Sequence, residues 1–189
     1  MEEPAARPRM IRVYTDAEVK KLAEELGTTY GPMIRLATAT GLRPDEWARL
    51  ERRDVDKQRR VLAVRGTKTA RSRREVPLTR TALEAIEALP ASIPYLFPNA
   101  DGGPLNLNGF RRREWGPAVD AAGVAKPARL YDLRSTFASN ALAHGVTVYE
   151  LARIMGTSVG MIEAHYGALL DTAYDAILER LEGAAQGAS

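Results

Sequence analysis

One segment of this 189-residue chain changes the period of its hydrophobic pattern, and this change limits the possible folds more than any other feature. Elsewhere, apolar residues recur every three to four positions, which is typical of amphipathic helices. From Val61 to Leu78, extended stretches with apolar and polar residues in alternation flank the basic turn 66–72, which predicts a β-hairpin. The sequence therefore predicts a mainly α-helical domain with one small antiparallel β-hairpin or sheet, an α+β arrangement.

Local start and stop signals place the helices. Thr15 and Glu18 have the spacing of a capping box, and the helix that they begin is expected to end at Gly27. Gly145 and Gly156 stand where C-terminal caps are expected. The other predicted helices span residues 32–40, 44–50, 79–89, 108–122, 133–143, 148–155, 159–165 and 172–181.

Composition excludes several kinds of site. The chain has no cysteine, which excludes disulfides, thiolate zinc sites and a cysteine nucleophile. Its two histidines, His144 and His165, are too few for a multi-histidine metal site, and we expect neither a metal nor a cofactor. Apolar runs are too short for a membrane span and no signal peptide opens the chain, so we expect a cytoplasmic protein.

Charge is distributed unevenly along the chain. Residues 43–74 contain twelve basic and five acidic side chains, a local net charge of +7. Residues 163–189 contain five acidic and one basic side chain, a local net charge of −4. A basic end of this kind favours a polyanion, of which nucleic acid is the obvious candidate. A solvated charged surface would have the same composition, so charge alone leaves both interpretations open.

Four polar side chains stand in positions that chemistry could use. Arg43 and Arg134 lie at predicted helix starts, where the free amides disfavour a cation unless an anion compensates. Two converging arginines would clamp one phosphate, although each alone is typical of a surface ion pair. Lys68 lies in the basic hairpin turn, where it could donate a proton to a leaving oxygen or could simply be a solvated lysine. Tyr166 follows a short predicted helix, where tyrosines are commonly packing residues.

The order of these residues carries more information than any one of them. Arg43, Lys68, Arg134 and Tyr166 follow one another at gaps of 25, 66 and 32 residues. Together with the sequence around them, this order resembles the catalytic domain of the tyrosine recombinases, the phage integrase family. Residues 40–46 are similar to the first arginine box, with Glu46 as its supporting acid, residues 131–139 to the second box and residues 155–158 to the third. The resemblance extends over residues 15–181 and implies the DNA breaking–rejoining fold.

The resemblance also implies a mechanism. Tyr166 would attack a DNA phosphate, form a 3′-phosphotyrosine link and free a 5′-hydroxyl. Arg43 and Arg134 would hold the two non-bridging oxygens, and Lys68 would protonate the leaving 5′-oxygen. Glu46 would orient Arg43 or a neighbour. The family works on double-stranded DNA as a homotetramer and needs neither ATP nor a metal.

The chain departs from the family at two positions. Tyr131 stands where the family usually has a histidine, and Thr157 where it has a histidine or a tryptophan. A tyrosine with an ordinary pKa of ~10 donates a hydrogen bond at neutral pH but is a poor base. These departures suggest an attenuated enzyme or, alternatively, an inactive integrase remnant that only binds DNA. A nickase similar to the type IB topoisomerases is a third interpretation.

The resemblance assigns the remaining segments. Residues 1–12 are expected to be a linker remnant, 13–182 the catalytic domain of a phage or other integrative element, and 183–189 a flexible tail. The helix 172–181 would dock on a neighbouring protomer or pack on its own domain. Residues expected to contact DNA lie along the hairpin and in one basic helical turn; they are Arg65, Arg71, Arg73, Arg74, Arg111 and Arg112.

Overall fold

The computed structural model describes residues 11–66, 73–89 and 94–171, with side chains up to Gly167. The helices are α1 Asp16–Glu25, α2 Gly27–Thr40, α3 Pro44–Trp47, α4 Arg80–Glu87, α5 Leu107–Phe110, α6 Gly116–Ala121, α7 Leu130–Ala143, α8 Val148–Met155 and α9 Val159–Asp171. The strands are β1 Val55–Asp56, β2 Val61–Val64 and β3 Arg74–Pro77. This content confirms the predicted fold class. The predicted helix 172–181, the tail 183–189, most of the 1–12 segment, and Lys68 with Arg71 lie outside the described residues.

The β-hairpin is confirmed, and a third strand extends it into a small sheet. Strand β2 pairs antiparallel with β3 in a register that places Leu62 opposite Val76. Strand β1, which the sequence analysis missed, pairs with the other edge of β2, so the sheet order is β1-β2-β3. Because β1 has only two residues, its alternation is too short to be recognised in the sequence.

The capping signals mark real helix ends. The Thr15 hydroxyl accepts a hydrogen bond from the Glu18 amide at 3.2 Å, and the Glu18 carboxylate accepts one from the Thr15 amide at 2.9 Å. Helix α8 ends at Met155 and is capped by Gly156, which adopts the left-handed conformation with φ of 62°. Both ends lie where the sequence predicts them, because these caps depend only on local hydrogen bonds.

Helix α2 begins five residues earlier than predicted, at Gly27 rather than at Pro32. A proline lacks the amide donor and usually marks the first turn of a helix, which suggested the later start. Packing overrides that signal here. The Tyr30 ring lies edge-on against Phe110 with ring centroids 5.0 Å apart, and Pro32 and Ile34 on the same helix are buried.

The predicted helix 108–122 is divided into three parts. A π-helical turn, Arg111–Trp115, joins α5 to α6. In this turn the Gly116 amide donates to the carbonyl of Arg111, five residues earlier. Trp115 is buried and donates from its indole nitrogen to the Ala128 carbonyl at 2.9 Å, which anchors the turn to the segment before α7.

Two helices near the predicted site have different ends from those expected. Helix α7 starts at Leu130 instead of Leu133, because the Asp132 carboxylate accepts the Arg129 amide at 2.8 Å and so caps its first turn. Arg134 therefore lies in the second turn, not at the opening of the helix. Helix α9 continues to Asp171, so Tyr166 lies within a helix instead of after one.

The interior consists of a large and a small apolar cluster. The large cluster joins helices α1 to α4 with the sheet and the first half of α7. The small cluster lies between the second half of α7 and helices α8 and α9, around Leu151, Met155, Ile162 and Tyr166. Helix α7 contributes to both, with Leu133 in the large cluster and Ala138 in the small one. The predicted catalytic residues of α7 thus lie where the two clusters meet.

Candidate active site

Arg43 is held at the start of α3, where it occupies the N-cap position. Its backbone amide donates to Glu46 Oε2 at 2.8 Å, and its Nη1 donates to Glu46 Oε1 at 3.0 Å. Its Nη2 donates to the Gly156 carbonyl at 2.7 Å, across 113 residues of chain. One third of the Arg43 side chain stays exposed, so this side chain is held in place and is still partly accessible.

Arg134 is almost completely buried, with 2% of its surface exposed. Its Nη1 donates to the Gly41 carbonyl and its Nη2 donates to the Met155 carbonyl at 2.9 Å. Among the described residues, its Nε has no hydrogen-bond partner. Burial, and then the nearby charge of Arg43, lower the pKa of Arg134 to about 10, so it remains a cation at neutral pH. A buried cation that is hydrogen-bonded to no carboxylate favours the binding of an anion beside it.

The last turn of α8 brings the arginines together. Three consecutive carbonyls, those of Ile154, Met155 and Gly156, each accept a hydrogen bond from a different arginine. The C-terminal carbonyls of a helix lack intrahelical donors and carry partial negative charge, so they attract cations. The three donors are Arg74, Arg134 and Arg43, in that order.

Arg74 is not at the hairpin surface, and its assignment as a DNA-contacting residue needs correction. Its side chain is 6% exposed and lies against Glu46, with Nη1–Oε1 and Nη2–Oε2 distances of 2.8 Å each. The alternation of strand β3 explains this direction, because Arg74 points to the same face as the buried Val76. Glu75, one residue later, points outward.

Glu46 joins the two arginines electrostatically. Burial would raise the pKa of this carboxyl, but the hydrogen bonds and charge of Arg74, supported by Arg43, hold it below its ordinary value. Glu46 is therefore ionised at neutral pH. Three guanidinium groups and one carboxylate then give this cluster, which we call the arginine cluster (Arg43, Glu46, Arg74 and Arg134), a net charge of +2.

Tyr166 lies beside the arginine cluster. It is packed in the small apolar cluster, with 5% of its surface exposed. Its hydroxyl donates to Ser135 Oγ at 3.3 Å, and Ser135 directly follows Arg134 in α7. Burial raises the pKa of Tyr166 above its ordinary value, against the opposing effect of the Ser135 hydrogen bond. The phenol is therefore protonated at neutral pH. The sequence does not predict this role of Ser135, because nothing local to it indicates a contact 31 residues away.

Tyr131 and Thr157 border the same site. Tyr131 lies one turn before Arg134 on α7, is half exposed, and lies close enough to contribute to the electrostatics of both Arg134 and Tyr166. Thr157 follows Gly156, is partly exposed, and donates its amide to the Ala152 carbonyl at 2.9 Å. Both residues carry hydroxyl side chains and directly neighbour members of the site in the chain, Tyr131 three residues before Arg134 and Thr157 directly after Gly156.

The other predicted DNA-contacting residues are more widely placed. Arg65 is half exposed and pairs with Asp54 and Glu51, which hold the end of β2. Arg73 is exposed just before β3. Arg111 and Arg112 are exposed on the π-helical turn, and Arg111 donates to Asn108 Oδ1 at 3.0 Å.

Both histidines are exposed and bonded to their own helices. Nδ1 of His165 lies 2.9 Å from the Met161 carbonyl, and Nδ1 of His144 lies 2.7 Å from the Asn140 carbonyl. Within the part of the chain that the structure describes, no three acidic, histidine or cysteine side chains form a group that could hold a metal ion. In the same part, no helix is long and apolar enough to cross a membrane.

Comparison with solved structures identifies the fold as that of the tyrosine recombinase catalytic domain. The XerA recombinase superposes with a TM-score of 0.73 at 22% identity, over 92% of this chain and 66% of its own. The Tn1549 transposon integrase, solved in complex with circular intermediate DNA, superposes with a TM-score of 0.75 at 21% identity, over 93% of this chain and 68% of its own.

Sequence comparison agrees and identifies the family. The tyrosine recombinase XerD of Mycobacterium leprae is 28% identical over 180 residues, which are 81% of this chain and 55% of that protein. The chain spans about half the length of the curated relatives that it matches. It matches the Phage integrase family over residues 12–172, and it belongs to that family.

Proposed function

We propose that this chain is the catalytic part of a site-specific DNA recombinase or integrase, encoded by a phage or another integrative mobile element. The arginine cluster carries the proposal. Its net charge of +2 lies close to the hydroxyl of Tyr166. That hydroxyl is hydrogen-bonded to Ser135, which directly follows Arg134 of the cluster in α7. A phosphodiester carries one negative charge, and it gains a second when a tyrosinate oxygen attacks the phosphorus. The cluster complements that charge.

The proposed reaction exchanges one phosphodiester for another. Tyr166 Oη attacks the scissile phosphorus, so that an oxygen–phosphorus bond to tyrosine forms and the bond to the 5′-oxygen breaks. The tyrosine proton leaves to solvent, and the 5′-oxygen takes a proton from Lys68. The phosphotyrosine conserves the bond energy, so a second 5′-hydroxyl reverses the step and joins a new strand without ATP.

Arg43 and Arg134 would bind the two non-bridging oxygens during this exchange. Arg43 is held from two sides and still exposes a third of its side chain, which suits a group that must meet an incoming phosphate. Arg134 retains its unpartnered Nε among the described residues. Tyr131 and Thr157 would each donate one hydrogen bond to the phosphate, in place of the histidine and the histidine or tryptophan usual in the family.

Double-stranded DNA is the proposed partner, with a homotetramer as the assembly that the family resemblance implies. The DNA complex of the Tn1549 integrase, whose fold this chain shares, supports DNA as the partner. Arg73, Arg111 and Arg112, which are exposed, would contact DNA phosphates away from the reaction centre.

A DNA-binding protein that no longer cleaves is the second candidate. Tyr131 and Thr157 favour it, because neither carries the charge of a protonated histidine. A positioned acid–base group contributes about 10²–10⁴-fold to a rate, so each missing histidine would lower the rate by up to that factor. The buried hydroxyl of Tyr166, hydrogen-bonded to Ser135, also requires a local rearrangement before it can attack.

Covalent capture of DNA separates the two candidates. Nicked duplexes tiled across the DNA that flanks the gene would be incubated with the protein in EDTA, and SDS-resistant adducts would be counted. A nick beside the scissile phosphate lets the short 5′-hydroxyl fragment diffuse away, so even slow cleavage accumulates. We expect adducts with the wild type and with Tyr149→Phe, which alters an exposed tyrosine, and none with Tyr166→Phe. DNA binding at low salt without any adduct would favour the second candidate.

A further inference from the structure

Arg74 and Arg43 share their partners. Glu46 Oε1 accepts from Arg74 Nη1 at 2.8 Å and from Arg43 Nη1 at 3.0 Å. Arg74 Nε donates to the Ile154 carbonyl at 2.6 Å, and Arg43 Nη2 donates to the Gly156 carbonyl in the same last turn of α8 at 2.7 Å. The two groups that hold the Arg43 side chain, Glu46 and this turn, are therefore both held by Arg74.

Arg74 also takes the larger share of the Glu46 carboxylate. It makes two side-chain hydrogen bonds to it, one to each oxygen, whereas the Arg43 side chain makes one. Because the Glu46 side chain is only 11% exposed, water cannot replace a missing donor well. Without Arg74, the ionised carboxylate would turn to the nearest remaining cation, which is Arg43. A carboxylate pairs with a guanidinium through two parallel hydrogen bonds and would withdraw it from any other anion.

We propose that Arg74 is a positioning residue for the phosphate-binding Arg43: it neutralises and occupies Glu46, so that Arg43 keeps its direction and its charge for the DNA phosphate. This inference rests on the proposed function. Arg74 contributes a charge that balances Glu46, and the remaining +2 of Arg43 and Arg134 faces the reacting phosphate. Lysine cannot replace it, because an ammonium group lacks the planar fork that meets both carboxylate oxygens while a third donor reaches Ile154.

The first test is the rate of adduct formation in a single turnover, measured against DNA concentration. At saturating DNA we expect Arg74→Lys and Arg74→Met to be slower than the wild type by about 10–100-fold, as for a reacting group misplaced by about 1 Å. The half-saturating DNA concentration should stay within about threefold, because Arg43 is one of many phosphate contacts. The final adduct yield gives the folded fraction, which separates the rate from stability.

The matched control is another bidentate arginine–glutamate pair, which joins the turn between β1 and β2 to strand β3. Arg59 donates from Nη1 and Nη2 to the two oxygens of Glu75 at 2.8 Å each, on the exposed side. Arg59→Met removes this pair without touching the arginine cluster, and we expect its rate to stay within about twofold of the wild type.

The second test removes the carboxylate. If Arg74 protects Arg43 from Glu46, the double variant Arg74→Met/Glu46→Gln forms adduct at least several-fold faster than Arg74→Met alone. If Arg74 only supports the hairpin, the second substitution adds a further loss, which would overturn the inference. A wild-type rate for Arg74→Lys would overturn it too, while leaving the proposed function intact. A wild type that forms no adduct through Tyr166 would instead refute the proposed function, and the inference with it.

Discussion

Replacing Gly156 with alanine adds one methyl group at the point where helix α8 meets the arginine cluster. Gly156 has a φ of 62°, and a Cβ on it would lie 2.9 Å from Arg74 Nη1 and 3.0 Å from Arg74 Cδ. Gly123 has nearly the same φ, 65°, but a Cβ there meets no atom within 4 Å. The two glycines therefore form a matched pair, with similar backbone strain and only one of them in contact with Arg74.

The expected magnitudes follow from this geometry. An alanine in the left-handed conformation costs about 1–2 kcal/mol, and both variants incur that loss. At Gly156, the Arg74 guanidinium must also move by about half an ångström while bonded to Glu46 and Ile154, which weakens charged hydrogen bonds worth about 1.5–3 kcal/mol each. We therefore expect Gly156→Ala to destabilise the protein by about 1–2 kcal/mol more than Gly123→Ala. For a domain of this size, this is an additional fall in Tm of about 2–8 °C.

Two assays check the prediction on the same protein samples. Thermal unfolding followed by circular dichroism gives the difference in Tm between the two variants. The SDS-resistant adduct assay gives the rate, which should fall by about tenfold or more for Gly156→Ala and stay close to the wild type for Gly123→Ala. Equal Tm values and equal rates for the two variants would show that Arg74 tolerates the displacement, and the argument from the shared partners would fail.

Two further predictions concern the same region. Glu46 has a lowered pKa, so its contribution to the free energy of unfolding is fully present above the ordinary glutamate pKa and is lost as pH falls through the folded value. Urea unfolding between pH 6 and pH 3 should therefore show a steeper loss for the wild type than for Glu46→Gln, and parallel curves would contradict this. At Gly41, with φ of 63°, an alanine Cβ would lie 2.2 Å from the Phe137 ring, whereas at Gly27, with φ of 62°, it meets nothing within 4 Å. Gly41→Ala should cost about 2–5 kcal/mol and Gly27→Ala about 1–2 kcal/mol in denaturant titrations, and equal costs would refute the steric argument.

The elements that the sequence predicted correctly depend on local chemistry. The capping box at Thr15, the glycine cap at Gly156 and the alternation of Val61 to Val64 all act within a few residues. The starts of α2 and α7 are predicted wrongly, whereas their last residues, Thr40 and Ala143, are predicted correctly. Packing around Tyr30 outweighs the proline signal in α2, and the Asp132 cap on Arg129 was overlooked in α7.

Arg74 shows how a site residue can be misread. In the sequence it is one of several arginines in a basic hairpin, and its charge suggested the surface. The two-residue alternation, which pairs it with the buried Val76, contained the opposite signal. A buried arginine needs a carboxylate partner, so the alternation becomes decisive only when the partner of Arg74 is known. That partner is Glu46, which lies 28 residues earlier in the chain.

By itself, the sequence determined the mainly helical fold with its β-hairpin, the family, and the order of the candidate catalytic residues. Tertiary structure decided which side chains meet. The Arg43–Gly156, Arg134–Gly41 and Tyr166–Ser135 hydrogen bonds join residues 113, 93 and 31 positions apart. No local pattern encodes such contacts, because they form only when the large and small apolar clusters pack around α7 and bring the end of α8 against the arginines. The residues of the site can be named from the sequence, but only the packing brings their charges together.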